Sequence, residues 1–226
     1  MMTANGCFND DQKRSVQDAV MEAERKTSAE IVPVVATASG RYDRAEDIVG
    51  LVGGVKAMLI AYSILPVDSA GLTGSWEGMD VPFQMPVLII ATVAGFIFAA
   101  FVASKIAWLR RLFTPSIQMR DEFNARARQV FYDARVHHTA SGSGLLVYIS
   151  LYERTAVVLA DASVTEKLGQ PVLDELAKRL IDEIRIGDIS TALTNCITAA
   201  GEQLASAMPR TSDDVNELSD VLILLD

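Results

Sequence analysis

The chain has 226 residues, half of them hydrophobic, with 20 Lys and Arg against 29 Asp and Glu for a net charge of −9. Fourteen Gly, seven Pro and two Cys exclude a collagen, a disordered chain and a disulfide scaffold, and the acidity with only two His speaks against a nucleic-acid binder. The mean hydropathy of +0.25 is high for a water-soluble domain and points to lipid.

In chain order, the first 20 residues carry Asp10, Asp11, Lys13, Arg14 and Asp18 and no apolar signal-peptide core. A helix is predicted from about Asn9 to Lys26, with Asn9 or Asp10 as N-cap and Val16, Ala19, Val20 and Ala23 as one apolar stripe. Glu30 to Thr37, EIVPVVAT, is β-branched and apolar on both faces. It reads as a buried strand, with Pro33 arguing for an edge or a bulge. Ser39-Gly40 marks a turn, after which helix resumes from Tyr42.

Two apolar runs of 19 residues follow, Ile48 to Pro66 with Lys56 as its one charge, and Pro86 to Ser104 with none. A helix of that length spans roughly 28 Å, about one hydrocarbon core, and the remaining chain is too small to wrap two such helices. The connecting loop, 67–85, carries Asp68, Glu77 and Asp80 and no cation, whereas Arg41 and Arg44 precede the first run and Lys105, Arg110 and Arg111 follow the second. The positive-inside rule then puts both termini in the cytoplasm, with Trp76 and Trp108 at the interfaces. With no signal peptide, the first membrane helix is expected to direct insertion. Lys56 is read as snorkelling to the headgroups or as a polar contact in the bundle. Gly50, Gly53, Gly54 and Gly95 would let helices approach closely, and Gly50 with Gly54 forms a GxxxG pattern.

The polar pieces, 1–47 and 105–226, carry net charges of −3 and −4, so the acidity is diffuse. Thr114-Pro115 starts a charged helix predicted over 116–136. Seven basic residues against three acidic ones from Lys105 to Val136 suit a segment beside anionic headgroups. The Ser141, Gly142, Ser143, Gly144 run is a flexible turn. Leu145 to Leu151 and Thr155 to Ala160 read as strands of an antiparallel hairpin. Helices are predicted over 171–186, with Leu173, Leu176, Leu180 and Ile184 as its stripe, and over 189–208, with Leu193, Ile197, Ala200 and Leu204. The tail from Pro209 reads as acidic and irregular. Three strands from two separate pieces imply an α/β domain, 1–47 plus 105–226, interrupted by a transmembrane hairpin at 48–104 whose helices continue out of the bilayer as stalks.

The blocks TSAEIVPVVATASGRYDRAEDI (27–48), GLLVYISLYERTAVVLADASV (144–164) and MPRTSDDVNELSD (208–220) together resemble the TPM domain family, with Ser219 where the family has Pro. The resemblance implies a three-layer α/β/α domain with a small mixed sheet, in the subgroup where a helical hairpin interrupts the domain. It also implies either a role in assembly or maintenance of membrane complexes, or weak phosphatase activity with divalent-cation binding.

No GxxxxGK[ST], HExxH, CxxC or GxSxG occurs. Cys7 and Cys196 are expected to be reduced thiols. His137 and His138 are placed at a helix C-terminus, where a cation is favoured, and adjacent helical residues do not share a metal-binding face. The candidate metal ligands are carboxylates at element ends: Asp161 after a strand, Glu153 in the hairpin turn, and Asp43 and Asp47 beyond the first strand. Such groups hold Ca²⁺ or Mg²⁺ through oxygen. The 141–144 loop is a candidate anion cradle through its backbone N–H groups. Two functions follow from different classes. One is a non-enzymatic interaction, assembly or maintenance factor at the plasma (inner) membrane, held by the bilayer and by a membrane-protein partner or self-association through the hairpin. The other is a divalent-metal-assisted phosphatase acting on phosphomonoesters.

Overall fold

The computed structural model describes residues 3–40, 43–64, 81–106, 114–139, 142–211 and 216–226; within these the side chains of 43–45 and 81–84 are not described. The chain forms two compact units, one of Met1–Gly40 with Met119–Asp226 and one of Arg41–Gln118.

The first unit is a mixed α/β fold. Its helices are α1 (Ala4–Cys7), α2 (Asp10–Glu24), α5 (Ser116–Asp133, entering from the other unit), α6 (Ala162–Leu168), α7 (Gln170–Ile186) and α8 (Ile189–Ala207). Its strands are β1 (Glu30–Ala36), β2 (Gly144–Ser150), β3 (Thr155–Ala160) and β4 (Ile223–Leu225), in the order β3-β2-β1-β4. β1 and β2 run parallel, Glu30 opposite Gly144 through Ala36 opposite Ser150. Parallel neighbours need a long crossover, and the 41–143 stretch supplies it. β2 and β3 form the antiparallel hairpin.

α2 starts at a capping box: Asn9 Oδ1 accepts the Gln12 N–H at 2.8 Å, and Gln12 Oε1 accepts the Asn9 N–H at 2.9 Å. Its stripe of Val16, Val20 and Ala23 is buried, and α8 crosses so closely that a Cβ at Gly201 would lie 2.6 Å from that of Ala23.

Because successive strand residues point to opposite faces, β1 and β2 feed two apolar clusters. Ile31, Val35, Leu145, Val147 and Ile149 pack with residues of α2, α6, α7 and α8. Val32, Val34, Ala36, Leu146 and Tyr148 pack with Phe123, Ala127 and Val130 of α5 and with Val136.

The structure differs from the sequence reading at five places in this unit, the first being α1, which was not expected. The tail is not wholly irregular: β4 adds a fourth strand, parallel to β1. This makes β1 an interior strand, but β4 pairs only with Val34 to Ala36, so Pro33 stands where that side of β1 has no neighbour and its missing N–H disturbs no ladder there. The helix predicted to Val136 ends at Asp133, because Arg135 takes a left-handed φ of 55°, and Val136–His138 form a separate 3₁₀ turn holding both His. The short helix α6 was not predicted.

The second unit holds α3 (Asp43–Ile64) and α4 (Val81–Lys105). Glu46–Ile64 and Met85–Lys105 are each long and apolar enough to cross a membrane. α4 begins five residues before Pro86; a proline in the second turn removes a single ladder bond. The glycines sit in the pairing of the two helices. A Cβ at Gly53 would lie 3.0 Å from the Gly95 carbonyl oxygen, one at Gly54 2.9 Å from that of Thr92, and one at Gly50 2.9 Å from the Phe96 ring. Gly50 and Gly54 therefore serve contacts inside the hairpin. Lys56 is exposed on α3. Loop residues 67–80, Trp76 and Trp108 lie outside the described residues, as does 107–113, where a continuous stalk from α4 was expected.

Candidate functional site

A cleft of about 160 Å³ opens where the end of α2, the start of β1 and the C-terminal segment meet. The connection after α8 builds its wall. Thr27 pairs with Pro209 as an isolated antiparallel bridge, and Thr27 Oγ1 donates to the Met208 carbonyl at 2.7 Å. The Arg210 N–H donates to the Lys26 carbonyl at 3.3 Å. Residues of two of the three sequence blocks, 27–48 and 208–220, thus line this cleft: Thr27, Ala29 and Glu30 from the first, Arg210, Asn216 and Asp220 from the second.

Its floor is acidic. The Glu30 carboxylate, 6% exposed, accepts the N–H of Glu217 at Oε1 and of Leu218 at Oε2, both at 3.2 Å. Glu24 is the last residue of α2, where the helix dipole disfavours an anion. Its Oε1 accepts the Ile31 N–H at 2.8 Å, and its Oε2 is buried without a hydrogen-bond partner. Burial pushes the Glu24 carboxyl up to about 8, against the lowering effect of the Ile31 N–H; the negative charges of Glu30 and Asp220 add to the rise. Asp220 also accepts the Asn216 side-chain N–H at 2.7 Å. Glu24 is therefore largely protonated at neutral pH, a donor rather than a fixed charge. With Glu30 engaged by two amides, the cleft has the chemistry of a polar clasp, and no group of three His, Cys, Asp or Glu suited to a metal occurs among the described residues. These residues were missed in the sequence because β4 pairing brings them together; the one visible signal was an acid opening an otherwise apolar strand.

The residues singled out in the sequence lie elsewhere and are not gathered at one place. Asp161 and Glu153 stand at opposite ends of β3, roughly 20 Å apart for six residues of strand. The rule that ligands gather at strand carboxyl ends fails for this pair because β3 runs against β1 and β2. Asp161 is the N-cap of α6, its carboxylate accepting the Ala162 N–H at 2.7 Å. Glu153 accepts the Ser39 N–H at 2.9 Å on Oε1 and the Ser150 hydroxyl on Oε2, while Ser39 Oγ lies 3.0 Å from the buried Tyr148 hydroxyl. Burial, and then the Glu153 charge, raise the Tyr148 pKa, partly offset by Ser39. Glu153 thus locks the turn after β1 to the hairpin. Asp47 lies exposed on α3 in the second unit, and the side chain of Asp43 is outside the described residues.

In the described part of the loop before β2, two N–H groups of the candidate anion cradle are engaged within the chain. The N–H of Gly142 donates to the Thr139 carbonyl at 3.0 Å and that of Ser143 to Thr139 Oγ1 at 2.8 Å. Asp161 Oδ2 would be 3.5 Å from a Cβ at Gly142, so a carboxylate already borders the loop. Ser143 Oγ donates to the Ser28 carbonyl, Gly144 is packed against Val136, and Ser141 is outside the described residues. Cys7 and Cys196 are free thiols; burial pushes Cys196 up to about 12.

The fold and cleft define a mixed α/β unit that carries a pair of long apolar helices. No family model matches the chain, and no curated protein matches it. Among solved structures, it is similar to the NMR structure of the BA42 protein from the psychrophilic bacterium Bizionia argentinensis sp. nov., at 15% identity over 96% of this chain and 94% of that one, with a TM-score of 0.55. At that identity the likeness concerns the fold.

Proposed function

We propose that the chain is a multi-pass membrane protein whose TPM-like, three-layer α/β/α unit acts in the cytoplasm as a non-enzymatic interaction, assembly or maintenance module for a membrane complex. The observation that carries this reading is the outward apolar surface of α3 and α4. Leu51, Ile64, Phe98 and Phe101 are 62%, 74%, 71% and 62% exposed, and only 11% and 6% of the two apolar windows are buried. A soluble protein does not leave such a continuous apolar surface to water; hydrocarbon or another apolar helix satisfies it. Lys56 then lies about 12 Å along α3 from Ile48, within reach of the inner headgroups by snorkelling. The two apolar clusters fed by opposite faces of β1 and β2 support the three-layer order. The basic flanks of 48–104 support cytoplasmic termini at the plasma (inner) membrane.

The phosphatase reading would need Asp161 and Glu153 to act on one metal ion, and their separation along β3 gives it less support. The test is a carbonate wash of membranes followed by a pull-down in mild detergent. The expected result is retention in the membrane pellet, with a stoichiometric membrane protein that no longer co-purifies when Phe98 and Phe101 become Ala. Release by carbonate, or phosphomonoester turnover lost in Asp161→Ala with the fold intact, would overturn the reading.

A further inference from the structure

Lys56 is the one charge in the two apolar runs 48–66 and 86–104, and it lies deep in its span. Within Glu46–Ile64 it is ten residues from one end and eight from the other, about 15 Å and 12 Å along the helix. The packing of the hairpin fixes the side of α3 on which it stands. α3 turns Gly50, Gly53, Gly54 and Ala57 toward α4. Lys56 is about 100° round the helix from Ala57, and it is exposed. Val52, Leu59 and Ser63 are exposed as well, and with Lys56 between them they follow one another at spacings of four, three and four residues. That is the spacing of a seam against one further helix.

We propose that this seam docks a transmembrane helix of a different protein, and that a carboxyl group on that helix, level with Lys56, pairs with the ammonium. The inference rests on reading α3 and α4 as membrane spans and adds what the partner must carry.

Charge decides the occupant. An ionisable group at mid-span is costly in hydrocarbon and calls for a partner. Alone in lipid, Lys56 bends its stem toward the inner headgroups. An acid on a facing helix satisfies the ammonium at close range, and Val52 and Leu59 on either side supply the apolar contact. A helix without an acid would trade the headgroups for a contact that leaves the ammonium unpaired. α4 does not supply the acid, since 86–104 contains no Asp or Glu. On α3 the nearest acid is Asp47, nine residues away, or about 13 Å along the helix. A second copy in the same orientation would set Lys56 against Lys56, and neither apolar run offers it an acid. The complementary group must therefore come from another chain.

The test is association of the full chain, reconstituted in phosphatidylcholine vesicles, with synthetic Leu/Ala membrane helices that carry Glu or Leu at the central position. Energy transfer from a donor on the peptide to an acceptor on the chain reads the binding. The wild type is expected to bind the Glu helix about fivefold or more tightly than the Leu helix. Lys56→Met is expected to bind the two alike, and Lys56→Glu to prefer a helix with Lys at its centre. Equal binding of the Glu and Leu helices by the wild type would overturn the proposal, as would a Glu preference that survives in Lys56→Met. Self-association of the wild type that shuts out both peptides would give the seam to a second copy and overturn it too. Carbonate treatment of the same vesicles checks the membrane reading separately. Release of the chain refutes that reading, whereas a retained chain with no Glu preference refutes the pairing alone.

Discussion

Glu153→Ala separates a structural carboxylate from a metal ligand. The substitution removes the acceptor of the Ser39 N–H and of the Ser150 hydroxyl, in a region where Ser150 is fully buried and Ser39 is 9% exposed. A hydrogen bond to a charged acceptor contributes roughly 1.5–3 kcal/mol, and a buried donor left alone costs about 1–3 kcal/mol. Glu153 is itself half-buried, so solvent replaces part of the loss, and a total of about 2–3 kcal/mol is expected. For a chain of this size that lowers Tm by roughly 4–12 °C. Glu153→Gln retains one acceptor oxygen and should lose about half as much. The assay is thermal unfolding in detergent, followed by far-UV circular dichroism, with Mg²⁺ and then with chelator. Wild-type Tm is expected to be the same in both. A Tm for Glu153→Ala within about 1 °C of wild type, or a wild-type loss on chelation that matches the variant, would refute the reasoning.

Leu204→Ala should cost about 2–5 kcal/mol, since Leu204 is fully buried in the cluster of α2 and α8, and denaturant unfolding would measure it. Gly53→Val should separate α3 from α4, because the added Cβ meets Ala99 and the Gly95 carbonyl; cross-linking between cysteines placed on the two helices is expected to fall while the α/β unit keeps its Tm. Stability should depend on pH through Glu24. Its pKa is raised on folding, so its contribution is complete below the unfolded value of 4.5 and is lost as pH rises to about 8. With allowance for its partial exposure the change is about 2 kcal/mol, and Glu24→Gln should flatten the pH profile of denaturant midpoints.

Much of this architecture is legible in the sequence where local signals are strong. LLVYISL and TAVVLA, separated by three residues, define β2 and β3 without any tertiary knowledge. Asn9 with Gln12 marks the start of α2, and the apolar runs mark α3 and α4. What stays hidden depends on partners distant in sequence. ILL in an acid-flanked tail has no periodicity and becomes a strand only against Val34 to Ala36. Asp161 shows how one pattern serves two ends: a carboxylate after a strand looks like a ligand, and here it caps a seven-residue helix too short to announce itself. The Glu24, Glu30 and Asp220 cleft is hidden for the same reason as β4, since its parts lie almost 200 residues apart.

The central claim is that the α/β unit is complete without the apolar pair. Its ends meet, because a Cβ at Gly40 would lie 2.9 Å from that of Glu122, and Met119 precedes Glu122 by about 4.5 Å of helix. Replacing 41–118 with a Gly/Ser linker of about six residues should therefore be tolerated. The expected product is a soluble monomer that unfolds cooperatively, with nuclear Overhauser contacts between the backbones of Val34 and Tyr148 in the parallel register. An aggregate without those contacts would contradict the account.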